Sequence, residues 1–324
     1  MSILDVDSVM GSEVGRLPHD PQFAHGSAFM NGSFCGLEDA MMPVVDLGFL
    51  QSDVTYEKVT VANGRFFRLE DHFARLARSC EKFRLKNPYS DHEMRRILSK
   101  VVALTGLKNA GVVWCVTRGL ARKASERPNP DVFESRFYAL CDAYESIATS
   151  TQRQKGLSVI VSRRHIRIPP RAVDPTAKNF HGQDMKLAMF EAHDLGKDWP
   201  ILTDAEGFLT EAAGANIFLI KKGELFTPDS GCLEGITRLS VLELAATLGV
   251  RVHVERVHAR QLQEADDAFI TSSAGGVMPI SSVDCRPLGE VEGPGKVAVQ
   301  LHNLYWEKMW GGWKCSDVDY GLKE

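Results

Sequence analysis

The sequence predicts a two-domain α+β protein, and three observations carry that expectation. At 324 residues the chain is longer than one typical domain. Strand-like and helix-like runs alternate through the second half, mixed with tight hairpin signals such as Lys221-Lys222-Gly223. That mixture points to a barrel-like domain rather than a uniform βαβ array. A polar stretch without apolar periodicity, 146–156, separates the halves and predicts a linker. The expected segments are an arm at 1–25, a small α/β domain at 26–145, the linker at 146–156 and a larger domain at 157–324.

The elements follow in order. Residues 1–25 are polar and punctuated by Gly and Pro, which predicts little regular structure. The run 54–61, with Gly64 in the following turn and a return at 65–68, predicts a hairpin. Leu69, Phe73, Leu76, Cys80 and Phe83 recur at helical spacing, predicting a helix over Leu69–Phe83. A second helix is expected over 91–104, with Ser90 or Asp91 as N-cap and Gly106 near its end. Continuous apolar runs at 112–116 and 137–140 predict buried strands, and the Arg- and Pro-rich 118–131 between them predicts a mobile loop. Further on, strands are expected at 157–161, 201–203, 215–220, 252–257 and 268–271. Helices are expected at 183–195, 237–248 and 296–310, with Gly196 and Gly249 suited to left-handed caps after the first two.

Composition excludes several functions. Apolar content of 44% and charged content of 25% are ordinary for a soluble globular protein. A net charge of -4 gives no electrostatic reason to expect nucleic acid or an anionic membrane as partner. The seven cysteines are scattered without a CxxC pair, which argues against a zinc site or disulfide framework and fits a reducing cytoplasm. The histidines form no HxxxH or HExxH pattern, so no metal is expected. The first residues lack a secretory pattern, and no stretch is long and apolar enough to span a bilayer. The absence of GxxxxGK[ST], of GxGxxG after a strand and of GxSxG points away from ATP, a Rossmann-bound dinucleotide and a serine nucleophile.

Five places could carry chemistry. Lys178 lies in the turn-rich Asp174-Pro175-Thr176-Ala177-Lys178-Asn179-Phe180, and a lysine held unprotonated beside a carbonyl can form a Schiff base. Taken alone, a solvated surface lysine is the better reading, as for most lysines of the chain. Leu233-Glu234-Gly235-Ile236-Thr237-Arg238 opens a helix whose exposed N–H groups suit phosphate, or is an ordinary Thr-capped start. Thr271-Ser272-Ser273-Ala274-Gly275-Gly276 follows a strand and either offers donors to an anion or is a polar turn. Glu211, just ahead of an apolar strand, is either a desolvated carboxylate needing a cationic partner or an exposed turn residue. Arg75 sits near apolar positions of its helix, suited to a phosphate or snorkelling at the core edge.

Taken in order, these residues resemble a known family. Arg75, then Lys178-Asn179, then Thr210-Glu211 with Gly214 and Asn216, then Gly235-Ile236-Thr237-Arg238, then Ser272-Ser273-Ala274-Gly275-Gly276, look like the fold type IV pyridoxal-phosphate enzymes. These include branched-chain and D-amino acid aminotransferases and aminodeoxychorismate lyase. More closely, the runs 48–56, 65–72 and 173–180 are similar to the (R)-selective amine transaminases. The resemblance extends from Phe29 to the end of the chain.

It implies a small N-terminal α/β domain, a larger C-terminal pseudo-barrel domain, and pyridoxal 5'-phosphate as cofactor. Lys178 would carry the cofactor as a Schiff base and later move the proton, while Glu211 would keep the pyridine nitrogen protonated. Arg75, Ile236, Thr237 and Ser273 would bind the phosphate, with Gly235 and Ser272 beside them. Leu233 would pack on the ring and Asn216 would lie close to it. Gln51, Tyr56, Val113, Gly182 and Ala274 would belong to the substrate pocket. The implied reaction passes an amino group from an amine to a 2-oxo acid such as pyruvate, in a homodimer. A mobile arginine from loop 118–131 would recognise the acid; Ala124 stands at the expected position, leaving Arg122 or Arg127. Gln51 stands where a His is expected, Gly111 and Val113 where a larger or acidic residue is common, and His181-Gly182-Gln183 replaces a stretch that usually holds Trp. Gly182 should therefore enlarge the pocket. The alternatives are a branched-chain or D-amino acid aminotransferase, a lyase releasing pyruvate from an amino-chorismate compound, and a non-catalytic cofactor-binding protein.

Overall fold

The computed structural model describes residues 2–120, 123, 125, 128–289 and 293–322. They form two compact units, one of Asp7–Glu145, Ala177–His181 and Met309–Glu324, the other of Met1–Val6, Ser146–Thr176 and Gly182–Lys308. The chain thus passes between the units more often than a single cut near residue 150 implies. The expected arm contributes a short helix, Asp7–Met10, and a 3-10 turn, Pro21–Phe23, begun by the Asp20 carboxylate. Within the expected linker lies a helix, Ser150–Lys155, started by a capping box between Thr149 and Gln152.

The first unit is built on a seven-stranded sheet. Its order is Cys315–Asp317, Arg65–Phe67, Val54–Ala62, Ala110–Thr117, Arg136–Ala143, Ser27–Met30 and Ser33–Gly36. The hairpin between Val54–Ala62 and Arg65–Phe67 turns at Asn63 and Gly64, both at positive φ (50 and 73), the geometry that Asn and Gly tolerate best. Alternation sends Val59, Val61, Val112, Trp114 and Val116 into one core with Phe73 and Leu76 of the helix Leu69–Phe83 and Leu98, Val101 and Val102 of the helix Asp91–Thr105. Ser90, not Asp91, caps the second helix, in a capping box with Glu93. Gly106 ends it at φ 66, where a Cβ would collide with the Leu17 carbonyl.

The second unit holds a nine-stranded sheet. Its main path runs Val252–Val254, Glu224–Thr227, Asn216–Lys221, Asp267–Ser272, Gly276–Val283, Leu157–Val161, Trp199–Thr203 and Leu209–Ala212, with Arg286–Pro287 paired to Gly276–Val283. A bridge from Ala212 to Ala215 brings the last of these strands back beside Asn216–Lys221, so the sheet curls into a pseudo-barrel. Leu157, Val159, Ile201, Ile217, Leu219, Ile270 and Ile280 fill its core. The helices Gln183–Asp194 and Ile236–Thr247 stop before Gly196 and Gly249, both at positive φ. Three strands described next depart from the expected pattern. Leu209–Ala212 carries Thr210 and Glu211 and so lacks an apolar run, yet all four residues are buried. Gly276–Val283 starts on a glycine expected in a turn, where a Cβ would press on the Trp306 ring. The strand expected over 252–257 covers only Val252–Val254.

Two substitutions separate cap from core. Ser90→Ala removes the capping box and should cost about 1 kcal/mol, whereas Leu76→Ala empties a buried position and should cost about 2–5 kcal/mol. Urea unfolding of both variants checks the ranking, and equal losses would contradict the packing described.

Candidate active site

Lys178 is fixed by its backbone. The return strand Arg65–Phe67 pairs with Val54–Ala62 only at Val61 and Ala62, so on that side the early part of the longer strand lies beyond the hairpin pairing. The Lys178 segment pairs there, through a bridge between Thr55 and Asn179. Tyr56 N–H donates to the Lys178 carbonyl at 3.2 Å, and Thr55 Oγ1 donates to the same oxygen at 2.7 Å. The Lys178 N–H donates to Ser79 Oγ at 3.2 Å. The side chain is half-buried, with Nζ 4.2 Å from the centroid of the Tyr56 ring, which itself lies 4.7 Å from the Phe180 ring. Asn179 holds the turn by donating to the Ala177 carbonyl and accepting from the His181 N–H.

Beside it lies a buried charge cluster that the sequence reading missed. Residues alternate along Val54–Ala62, so Thr55 and Glu57 face the helices while Tyr56 points the other way. Glu57 is 0% exposed and takes a two-pronged ion pair from Arg75, Nε to Oε1 at 2.8 Å and Nη2 to Oε2 at 2.6 Å. His72 Nδ1 lies 2.6 Å from Glu57 Oε2. Burial alone would raise the Glu57 pKa, but the Arg75 charge and hydrogen bonds, with His72, hold it down to about 2. Burial lowers the His72 pKa, with the Glu57 carboxylate opposing and the positive charges of Arg75 and Lys178 reinforcing the fall. His72, Arg75 and Ser79 stand three and four residues apart, on one helix face. Arg75, expected at a phosphate, is thus fixed first by Glu57. A carboxylate at an inward position of an apolar strand was the available signal.

The other unit carries a second cluster. Glu211, 4% exposed, lies within the strand Leu209–Ala212 rather than in a turn. Its Oε1 accepts from Arg167 Nε at 2.8 Å and its Oε2 from the Leu233 N–H at 3.3 Å. Arg167 also donates to Asp184 Oδ2 at 2.7 Å. Burial would favour a neutral Arg167, but Glu211 and Asp184 push its pKa up instead. Nothing in the local sequence marks Arg167 or Asp184. Asn216 Nδ2 donates to the Leu233 carbonyl at 2.7 Å. Asn216 Oδ1 packs so closely on Gly235 that a Cβ there would overlap it. Gly235 begins the helix Ile236–Thr247 without a side-chain cap, and Ile236 and Thr237 are buried in its first turn.

Thr271 faces Asn216 across the sheet. Among the described residues, the buried hydroxyls Thr271 Oγ1 and Ser272 Oγ have no hydrogen-bond partner. Buried donors normally find acceptors, so the idle Thr271 hydroxyl, on the face of Asn216 and the helix start it packs on, fits an anionic group such as a phosphate. Ser273 follows Ser272, and the Ala274 carbonyl accepts from the Ile147 N–H.

The remaining expected residues lie on separate elements. Gln51 is exposed at the end of the short helix Leu47–Leu50. Val113 is half-buried opposite Lys58 and Leu140, on the sheet face that carries Tyr56. Gly182 precedes the helix Gln183–Asp194, and a Cβ there would meet open space. Arg122, Arg127 and Ala124 lie outside the described residues. The start of their loop is held by Arg118, 7% exposed, which pairs with Asp53 and donates to the carbonyls of Phe83 and Arg84.

Residues 55–283 match the family described as Amino-transferase class IV. The chain belongs to that family and is an aminotransferase. The D-alanine aminotransferase of Listeria monocytogenes serotype 1/2a is 30% identical over 295 residues, covering 90% of this chain and 98% of the relative. The branched-chain-amino-acid aminotransferase of Pseudomonas aeruginosa is 30% identical over 252 residues, covering 76% and 79%. Among solved structures, a T.th. branched-chain amino acid aminotransferase complexed with N-(5'-phosphopyridoxyl)-L-glutamate matches with a TM-score of 0.83 and 29% identity, over 92% of this chain and 100% of that one. The same enzyme with pyridoxamine 5'-phosphate matches with a TM-score of 0.83 and 28% identity, over 92% and 100%. The mixed sheets and pseudo-barrel are those of fold type IV.

The Glu57 cluster makes a signed prediction. The folded pKa of about 2 lies below the ordinary 4.5, so the pair's stabilisation is complete above about 4.5 and is lost as pH falls toward about 2. Glu57→Gln leaves the Arg75 charge buried and unmatched, which should cost about 3–5 kcal/mol at neutral pH. Unfolding midpoints of variant and parent should converge as pH falls through that window. A gap that stays constant would contradict the ion pair.

Proposed function

We propose that this aminotransferase uses pyridoxal 5'-phosphate and moves an amino group from an (R)-amine to a 2-oxo acid such as pyruvate. The observation that carries the cofactor is the idle buried hydroxyl of Thr271, opposite Asn216, whose side chain packs on the uncapped helix start at Gly235. A phosphate supplies the acceptor it lacks. The solved relatives with phosphopyridoxyl groups support the same reading. When bound, the cofactor supplies an aldehyde carbon and an electron-withdrawing ring.

The chain's own residues then have definite tasks. Lys178 is the covalent anchor and the base that moves the proton. Its backbone is held at both ends of the residue, so the amine moves only through its own side-chain torsions. Glu211, backed by Arg167 and the Leu233 N–H, accepts the hydrogen bond of a ring N–H. Leu233, held by Asn216 and Glu211, packs on the ring. Gly235, Ile236, Thr237, Ser272, Ser273 and Arg75 orient the phosphate; Glu57 keeps Arg75 in place.

For the donor, the aromatic pair Tyr56 and Phe180 beside Lys178 supports an apolar group, and the family resemblance, with Gly182 where a Trp is usual, supports a large one. Gln51, Val113 and Ala274 complete the proposed pocket, with Arg122 or Arg127 meeting the 2-oxo acid. A second reading, a branched-chain or D-amino acid aminotransferase, is supported by the relatives with those activities. A pyruvate-releasing lyase comes third. The proposal includes a reducing cytoplasm, which the seven unbonded cysteines support, and a homodimer, which rests on the family resemblance alone. No helix among the described residues is long and apolar enough to cross a membrane.

The test is a donor panel with pyruvate: both enantiomers of 1-phenylethylamine, the L-branched-chain amino acids and D-alanine. Turnover of the (R)-amine, lost in Lys178→Ala, is expected. Turnover of the amino acids with none of the amine would replace this reading by the second.

A further inference from the structure

We propose that Ser79 and Thr55 are positioning residues that set the reach of the Lys178 amine; the inference rests on the cofactor reading above. Lys178 lies in a turn, and a turn fixes a side chain less firmly than a helix or strand does. Here the turn borrows rigidity. Ser79, 0% exposed, accepts the Lys178 N–H at 3.2 Å, and Thr55, 0% exposed, donates to the Lys178 carbonyl at 2.7 Å. One hydroxyl comes from the helix Leu69–Phe83 and the other from the strand Val54–Ala62, so both ends of the residue are tied to regular structure.

The same two elements hold the arginine. Ser79 stands one helical turn beyond Arg75, and Thr55 stands two residues before Glu57 on the same side of the strand. Helix and strand are joined at the core by the Arg75–Glu57 pair. The frame that grips the Lys178 backbone therefore also fixes the guanidinium proposed for the phosphate. The spacing between the Lys178 backbone and the Arg75 guanidinium is set by a helix packed on a strand, not by the turn. Neither hydroxyl touches the reacting atoms; both act through Lys178.

Covalent attachment is separable from anion binding. In attachment the Lys178 nitrogen adds to the aldehyde carbon of pyridoxal 5'-phosphate, water leaves, and borohydride then fixes the bond by delivering hydride to that carbon. Pyridoxine 5'-phosphate has the phosphate and ring but no aldehyde, so it reports anchoring without attachment. The experiment measures both on the apoprotein of the parent, Ser79→Ala, Ser79→Thr and Thr55→Val.

Losing one hydrogen bond to the Lys178 backbone should weaken borohydride-fixed labelling of Lys178 by up to about tenfold. Pyridoxine 5'-phosphate affinity should stay within about twofold, since no anion contact is removed. Ser79→Thr, which keeps the hydroxyl, should restore labelling. If Ser79→Ala fails to fold, Thr55→Val carries the same comparison from the strand side. Parent-like labelling in the hydroxyl-deleted variants would overturn the inference, as would equal loss of labelling and pyridoxine 5'-phosphate binding. A parent that cannot be labelled at Lys178 while binding pyridoxine 5'-phosphate overturns the lysine's role, and one that binds neither overturns the cofactor reading.

Discussion

The first unit depends on a carboxylate that solvent does not reach. Glu57 sits at an inward position of a β-strand, and an isolated charge there would cost several kcal/mol. Arg75 meets it with two nitrogens, and His72 meets the remaining face. That requirement fixes the rotation of the helix Leu69–Phe83 over the sheet, because only one face can present both partners. Once the helix is set, Ser79 follows on the same face and meets the Lys178 N–H. The hydrophobic contacts of Phe73 and Leu76 stabilise the packing, but they would tolerate small rotations. The ion pair does not.

The second unit applies the same logic in another form. Glu211 is buried in a strand and needs Arg167, which in turn is held by Asp184. Around it the backbone is tight: Asn216 ties Leu233, and Gly235 has no room for a side chain. The buried Thr271 hydroxyl, on the sheet face of Asn216, lacks a partner. An idle buried donor beside that tight backbone describes a place for something else to complete.

Much of this was legible in the sequence, and the rest fails for physical reasons. Helices were the plainest, because period and caps agree: Leu69–Phe83 lies where its apolar spacing put it, and Gly196 and Gly249 follow the ends of theirs. Strands whose burial is paired with polar residues were missed. Leu209–Ala212 holds Thr210 and Glu211 in a buried strand, which no alternation rule detects. The order of motifs from Arg75 to Gly276 indicated the family, which the match over residues 55–283 establishes. Partners were not legible. Glu57, Ser79 and Arg167 reach the candidate residues across 18, 99 and 44 positions of sequence, and such pairings are set by packing, not local pattern. The choice of substrate is least legible, because it rests on a loop arginine and on space beside Gly182.

The central claim is that Lys178 binds an aldehyde cofactor. Its most direct measurement is the absorbance spectrum of the purified protein titrated with pyridoxal 5'-phosphate. The account predicts a visible band of lysine-bound pyridoxal that saturates at one equivalent per chain and is missing from Lys178→Ala. A protein that shows no such band, or a Lys178→Ala variant that keeps it, would contradict the account.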